Sequence, residues 1–123
     1  MQWSIDSERP VYIQLVEQIQ AGIISGYFRP GDKLPSVRDL AKDAGVNPNT
    51  MQRALVELER TGLVYTNRTS GRYITSEIKI VKKLKGQSAR SVVEDFLGKM
   101  KQLGFEEEEI LDILKETIKE MKK

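Results

Sequence analysis

Apolar residues recur along this chain at helical spacing in some stretches and alternate with polar ones in others, and the two patterns divide it into elements. Trp3 and Ile5 alternate with Gln2, Ser4 and Asp6, which predicts a short edge strand. Pro10 then opens a helix with Tyr12, Leu15, Val16, Ile19 and Ile23 on one face, Glu17 and the glutamines off it, and an end near Gly26. Arg29-Pro30-Gly31-Asp32 reads as a turn leading to Leu34-Pro35. Ser36 can cap a second helix whose buried stripe is Val37, Leu40, Ala41 and Ala44. Gly45 permits a tight left-handed turn, and Val46 can plug the angle between this helix and the next. Asn47 is a good N-cap, Pro48 suits the first helical position, and Met51, Ala54, Leu55 and Leu58 form a third stripe. Two helices joined in this way make a helix-turn-helix, whose second member lies in the DNA major groove.

Gly62 is placed to end that second helix with a positive backbone angle. The β-prone runs Leu63–Thr66 and Arg72–Thr75 flank a polar tip, Asn67–Gly71, and predict a hairpin. A hairpin directly after a recognition helix is a wing. Its tip holds Arg68 and Arg72 around small residues with no acid between them, a composition suited to a phosphate or a minor groove. From about Ser76 the chain is helical and highly charged. Val92, Val93, Phe96, Leu97, Met100 and Leu103 form one stripe, which Gly104 ends. Phe105 can staple against Ile110, with Glu106 at the cap position and Glu109 three residues on. Ile110, Ile113, Leu114, Ile118 and Met121 form the last stripe. Two helices this short cannot bury a core alone, so the tail reads as a dimerisation element.

Composition narrows the function. At 123 residues and 39% hydrophobic the chain holds one domain, or one small domain with an appendage. It has no cysteine and no histidine, which removes disulfides, thiolate metal sites, the usual zinc ligand and the usual general base. No enzyme, metal site or cofactor is therefore expected. No membrane-length apolar run is present, and Gln2, Ser4, Asp6, Ser7 and Glu8 interrupt any N-terminal signal pattern, so the cytoplasm is the expected compartment. The net charge of +2 neither supports nor opposes a nucleic-acid partner. Between Gly45 and Val56, however, there is an arginine and no acid, so the reading face does not repel phosphate.

Each candidate contact has a plain structural alternative. Arg38 either pairs with Asp39 or Asp43 on its own helix or meets a phosphate, and the surrounding motif favours phosphate. Asn49 and Gln52, with Thr50 on the flank and Arg53 beside them, are either an exposed polar face or base readers. Capping explains Asn47 but not the run that follows it, which favours DNA. Asn49 and Gln52 can pair bidentately with adenine, and Arg53 with guanine or a phosphate. Asn67, Thr69 and Ser70 serve equally well as turn formers, whereas Arg68 and Arg72 lean towards DNA.

The combination Pro30-Gly31-Asp32-Lys33-Leu34-Pro35-Ser36, Arg38, Leu40-Ala41, Gly45-Val46 and Gly62-Leu63 resembles the GntR family of bacterial transcription regulators over about residues 10–75. The short helical tail and Val46-Asn47-Pro48-Asn49-Thr50 look like its YtrA subfamily. The resemblance implies a DNA contact for Arg38 and a wing tip at Gly71. Many members carry arginines where this chain has Pro48 and Gln52, so guanine-reading arginines are absent there.

The expected architecture is mainly α with a small β-hairpin: a winged helix-turn-helix over residues 1–75 and a helical dimerisation tail over 76–123. DNA contacts are expected from Arg38, Asn47, Asn49, Thr50, Gln52, Arg53, Arg68, Ser70, Gly71 and Arg72. Dimer contacts are expected from Val92, Val93, Phe96, Leu97, Met100, Ile110, Ile113, Leu114 and Ile118. The function expected is a sequence-specific regulator, read as a repressor, that binds double-stranded DNA at a palindromic operator as a homodimer. The rival reading is a winged-helix protein-interaction module, but its recognition face would carry exposed apolar residues rather than amides and arginine. The sequence names no small-molecule effector.

Overall fold

A computed structural model describes residues 1–123 as five helices and one hairpin: α1 (Val11–Ser25), α2 (Val37–Ala44), α3 (Pro48–Arg60), β1 (Val64–Asn67), β2 (Gly71–Ile74), α4 (Ile78–Gln102) and α5 (Glu107–Met121). No helix is long and apolar enough to cross a membrane. The chain divides into two compact units, Met1–Lys85 and Gly86–Lys123.

The first unit is organised by three apolar stripes that meet. Leu15, Ile19 and Ile23 of α1, Leu40 and Ala41 of α2, and Met51, Ala54, Leu55 and Leu58 of α3 form one buried cluster with Leu34, Leu63, Val64 and Ile74. Each large member contributes about 1.5–3 kcal/mol by leaving water. The helix ends are set by the residues the sequence singles out. The Asp39 N–H donates to Ser36 Oγ at 3.1 Å, and the Asn49 N–H donates to Asn47 Oδ1 at 2.8 Å, ahead of Pro48 at the first helical position. Gly45 takes φ +71° and turns the chain so that the Val46 N–H reaches Ala41 O at 3.0 Å.

The expected edge strand at Trp3–Ile5 does not form. Two α1 glutamines take the place of a neighbouring strand, because a side-chain amide offers one acceptor and donors much as a peptide group does. Gln18 accepts from the Ser4 N–H at 3.0 Å and donates to the Ser4 carbonyl at 2.6 Å. Gln14, only 2% exposed, accepts from the Asp6 N–H and donates to the Asp6 and Arg9 carbonyls. These glutamines are therefore structural rather than solvated.

The hairpin pairs Val64 with Ile74, Tyr65 with Tyr73, Thr66 with Arg72 and Asn67 with Gly71. Its other edge is also occupied. The segment from Gly31 to Leu34 runs antiparallel to β2: the Gly31 N–H donates to Ile74 O at 3.0 Å, the Ile74 N–H to Asp32 O at 2.8 Å, and the Leu34 N–H to Arg72 O at 2.9 Å. The turn before α2 thus satisfies the backbone groups that β2 would otherwise leave open.

The first unit extends past the boundary expected at residue 75, because the first turns of α4 lay Ile80, Val81 and Leu84 against its core. In the second unit, Gly104 ends the run of α4 with φ +90°, and Glu106 and Glu109 form the expected capping box. Ile110 is buried at 2% exposure, but Val92 at 67% and Met121 at 81% stand in water, as do Val93, Ile113 and Ile118. Close backbone approach between α4 and α5 is slight.

Gly62 provides the sharpest stability test of this fold. A methyl group there would meet Ile80 Cδ1 at an ordinary 3.5 Å, so the obstacle to substitution is φ +82° and not space. Gly62→Ala is expected to lower unfolding free energy by about 1–2 kcal/mol. Gly98→Ala, on an open helix face, is expected to raise it by about 0.5–1 kcal/mol. Urea denaturation of both variants checks this, and a Gly62→Ala protein as stable as the parent would contradict the left-handed geometry.

Candidate nucleic-acid interface

Burial of the Met51, Ala54, Leu55 and Leu58 stripe turns the opposite side of α3 outward. That side presents Asn49, Gln52 and Arg53 as exposed residues, with Thr50 half-buried and Asn47 exposed at the cap. Arg53 is not free: its guanidinium carbon lies 3.7 Å from the centroid of the Tyr12 ring, so α1 holds this side chain from one side. Tyr12 falls on the apolar face of its helix and reads from the sequence as core, which is why its second role escapes notice there.

Arg38 projects from α2, exposed and without an ion pair to Asp39 or Asp43. Asp43 instead accepts a hydrogen bond from Trp3 Nε1 at 2.8 Å. The structural alternative for Arg38 is thereby unoccupied, and its charge stays available to an outside anion.

The wing separates the residues grouped at its tip by sequence. Arg68 is exposed at the tip and makes no ion pair. Arg72 lies one pair below the closing Asn67–Gly71 pair of the wing with 19% of its side chain exposed, and its Nε donates to Glu59 Oε1 of α3 at 2.6 Å. Thr66 Oγ1 donates to the same oxygen. Burial pushes the Glu59 carboxyl pKa up, but the Thr66 hydroxyl and the Arg72 guanidinium outweigh it and hold the pKa below the usual carboxylate range. This carboxylate ties the hairpin to the recognition helix, and no spacing rule along the chain points to it. The tip is shaped by its own bonds: Asn67 Oδ1 accepts from the Thr69 N–H and hydroxyl, and Ser70 Oγ accepts from Tyr73 OH at 2.8 Å. Asn67 and Thr69 are thus turn formers, and Ser70 keeps its own hydroxyl proton to donate.

An open groove of about 720 Å³ runs between the start of α2 and the wing, lined by Lys33, Ser36, Thr66, Ser70, Gly71 and Arg72 among others. Lys33 enters through the strand-like pairing with β2, which brings its Cε to 3.3 Å from the place a Cβ on Gly71 would occupy. The sequence shows Lys33 only as part of a loop, since a pairing between residues forty positions apart leaves no local periodicity. Negative charge nearby is offset: Glu57 pairs with Arg60, whose hydrogen bond lowers the carboxyl pKa, and Glu59 pairs with Arg72. The residues of α3 and the groove named above offer amides, hydroxyls and cations, the donor set that phosphates and base edges accept from.

Comparison with known proteins agrees with this geometry. Residues 11–74 match the model of the bacterial regulatory proteins of the gntR family. The chain is 44% identical over 109 residues to the uncharacterized HTH-type transcriptional regulator YhcF of Bacillus subtilis (strain 168), covering 89% of this chain and 90% of that protein. It is 45% identical over 73 residues to the HTH-type transcriptional repressor YtrA of the same organism, covering 59% of this chain and 56% of the relative. A GntR family transcriptional regulator from Listeria monocytogenes superposes with a TM-score of 0.84 at 39% identity, over 91% of this chain and 98% of that one. A winged helix with an acid-free recognition face, matched through these helices and the wing, places this chain in the GntR family as a DNA-binding transcriptional regulator.

Proposed function

We propose that this regulator represses transcription by binding a palindromic operator as a cytoplasmic homodimer. The observation that carries the reading is the outward face of α3, where Asn49, Gln52 and Arg53 stand exposed beside an unpaired Arg38. α3 lies in the major groove, with Asn49 and Gln52 reading adenine edges and Arg53 a guanine or a phosphate. Asn47 and Thr50 approach the sugar-phosphate backbone at the start of the helix. Arg38 meets a phosphate, and the wing tip with Arg68, Ser70 and Gly71 follows the adjacent backbone or minor groove. Arg72 serves chiefly to position the wing through Glu59.

Repression is supported by similarity to a relative named as a repressor. Dimerisation is supported by the exposed apolar residues of the second unit, Val92, Val93, Ile113 and Ile118, on the stripes that also hold Phe96, Leu97, Met100 and Leu114. Ile110 contributes less to a dimer than the sequence suggests, because it is already buried within the chain. A second copy places two recognition helices on half-sites about one DNA turn apart.

Fluorescence anisotropy against the cognate operator and against random duplex tests the readout. Asn49→Ala and Gln52→Ala are each expected to cost about 1–3 kcal/mol on the operator while leaving random-duplex affinity nearly unchanged. Parental discrimination in both variants would remove α3 from the reading role. Arg38→Ala is expected to weaken binding to every sequence and to reduce the slope of log affinity against log salt by about one. If that slope stays at the parental value while sequence preference relaxes, Arg38 reads a base instead.

A further inference from the structure

α4 and α5 each carry a stripe whose character changes along the helix, and the two changes match. On α4, Lys79, Lys82, Lys83, Gly86 and Arg90 share one face at helical spacing, and no acid occurs from Ile78 to Val93. The same face continues as Val93, Leu97 and Met100. It is distinct from the face of Ile80, Val81 and Leu84, which packs on the core, and its lysines are exposed. On α5, Glu106 and Glu107 open a face that continues as Ile113, Leu114, Ile118 and Met121. The first stripe therefore runs from cationic to apolar in the chain direction, and the second runs from acidic to apolar.

Only a parallel alignment sets acid on base and apolar on apolar. An antiparallel alignment would put the glutamates beside Leu97 and Met100 and the lysines beside Ile118 and Met121, leaving charges against hydrocarbon. The two helices of one chain cannot pack in parallel, because the connection from Leu103 to Glu106 is too short to return α5 to the start of α4. Within the chain the close approach between them is slight: Ile110 of the α5 stripe is buried, while Ile113, Ile118 and Met121 beyond it stay exposed.

We infer that the occupant of the α4 stripe is α5 of a second copy, lying parallel to it, with the acidic first turn of the partner's α5 over Lys82, Lys83 and Arg90. This rests on the homodimer proposed above and specifies how its halves meet. A two-fold axis repeats the contact, so each copy gives and receives one α5. Nucleic acid fits the stripe less well, since a phosphate backbone leaves Val93, Leu97 and Met100 uncovered. Arg90 also bonds Glu94 at 3.0 Å along its own helix, but both side chains are largely exposed and the guanidinium retains free donors.

Sedimentation of the full chain at micromolar concentration tests the arrangement through charge exchange. A Lys79→Glu/Lys82→Glu/Lys83→Glu chain and a Glu107→Lys chain are each expected to dimerise about tenfold more weakly or worse than the parent. Mixing the two is expected to return both α4–α5 contacts to complementary charge, acid on base in each, and yield a heterodimer tighter than either variant alone. Because the parent has no cysteine, a Lys83→Cys/Glu107→Cys chain is also expected to cross-link between copies under oxidation, and a Lys83→Cys/Met121→Cys chain is not. A dimeric parent whose reversed variants associate normally, or which cross-links only through position 121, overturns this arrangement and leaves the homodimer standing. A lysine reversal that weakens DNA binding with dimerisation unchanged assigns the stripe to DNA and also overturns it. A monomeric parent removes the homodimer itself, and this contact with it.

Discussion

Withdrawal of Met51, Ala54, Leu55 and Leu58 from water is the constraint on which the rest of the DNA-binding unit depends. These side chains are buried against α1 and α2, and a helix fixed along one stripe has no freedom left in its opposite face. Asn49 and Gln52 point outward because their neighbours at the next helical spacing point inward. The same burial draws Leu63 and Val64 into the core immediately after Gly62, so the hairpin begins where the recognition helix ends.

The wing is then oriented by polar contacts rather than by apolar area. β2 is bonded on both edges, to β1 and to the Gly31–Leu34 segment, and the Glu59 carboxylate links Arg72 and Thr66 to α3. A half-buried carboxylate shared by a guanidinium and a hydroxyl holds the two strands to the helix through charge-assisted hydrogen bonds. One residue of the recognition helix therefore sets the angle of the wing, while others on the same helix face outward.

In the second unit the balance is reversed. Its helices form by capping and local periodicity, and most of their apolar area remains in water. Area of that kind is seldom stable unless something covers it, and the order of charges along each helix restricts what can do so. In the proposed dimer the apolar residues would supply the drive for association, and the charged turns direction and partner choice.

The sequence by itself determined the elements whose signals are local. Ser36 and Asn47 as caps, Gly62 as a stop, the Glu106–Glu109 box and the inward stripes of all three DNA-unit helices depend on spacings of a few residues, which periodicity and capping chemistry express directly. The outward residues of α3 were legible for the same reason, being the complement of a stripe. Tertiary structure decided whatever depends on a partner distant in the chain. Gln14 and Gln18 bind the N-terminal segment in place of a strand, Tyr12 supports Arg53, Lys33 joins the wing groove, and Arg72 turns from the tip to Glu59. A long polar side chain has many rotamers and no intrinsic preference for one face, so its direction is chosen by the donor or acceptor that folding brings within reach.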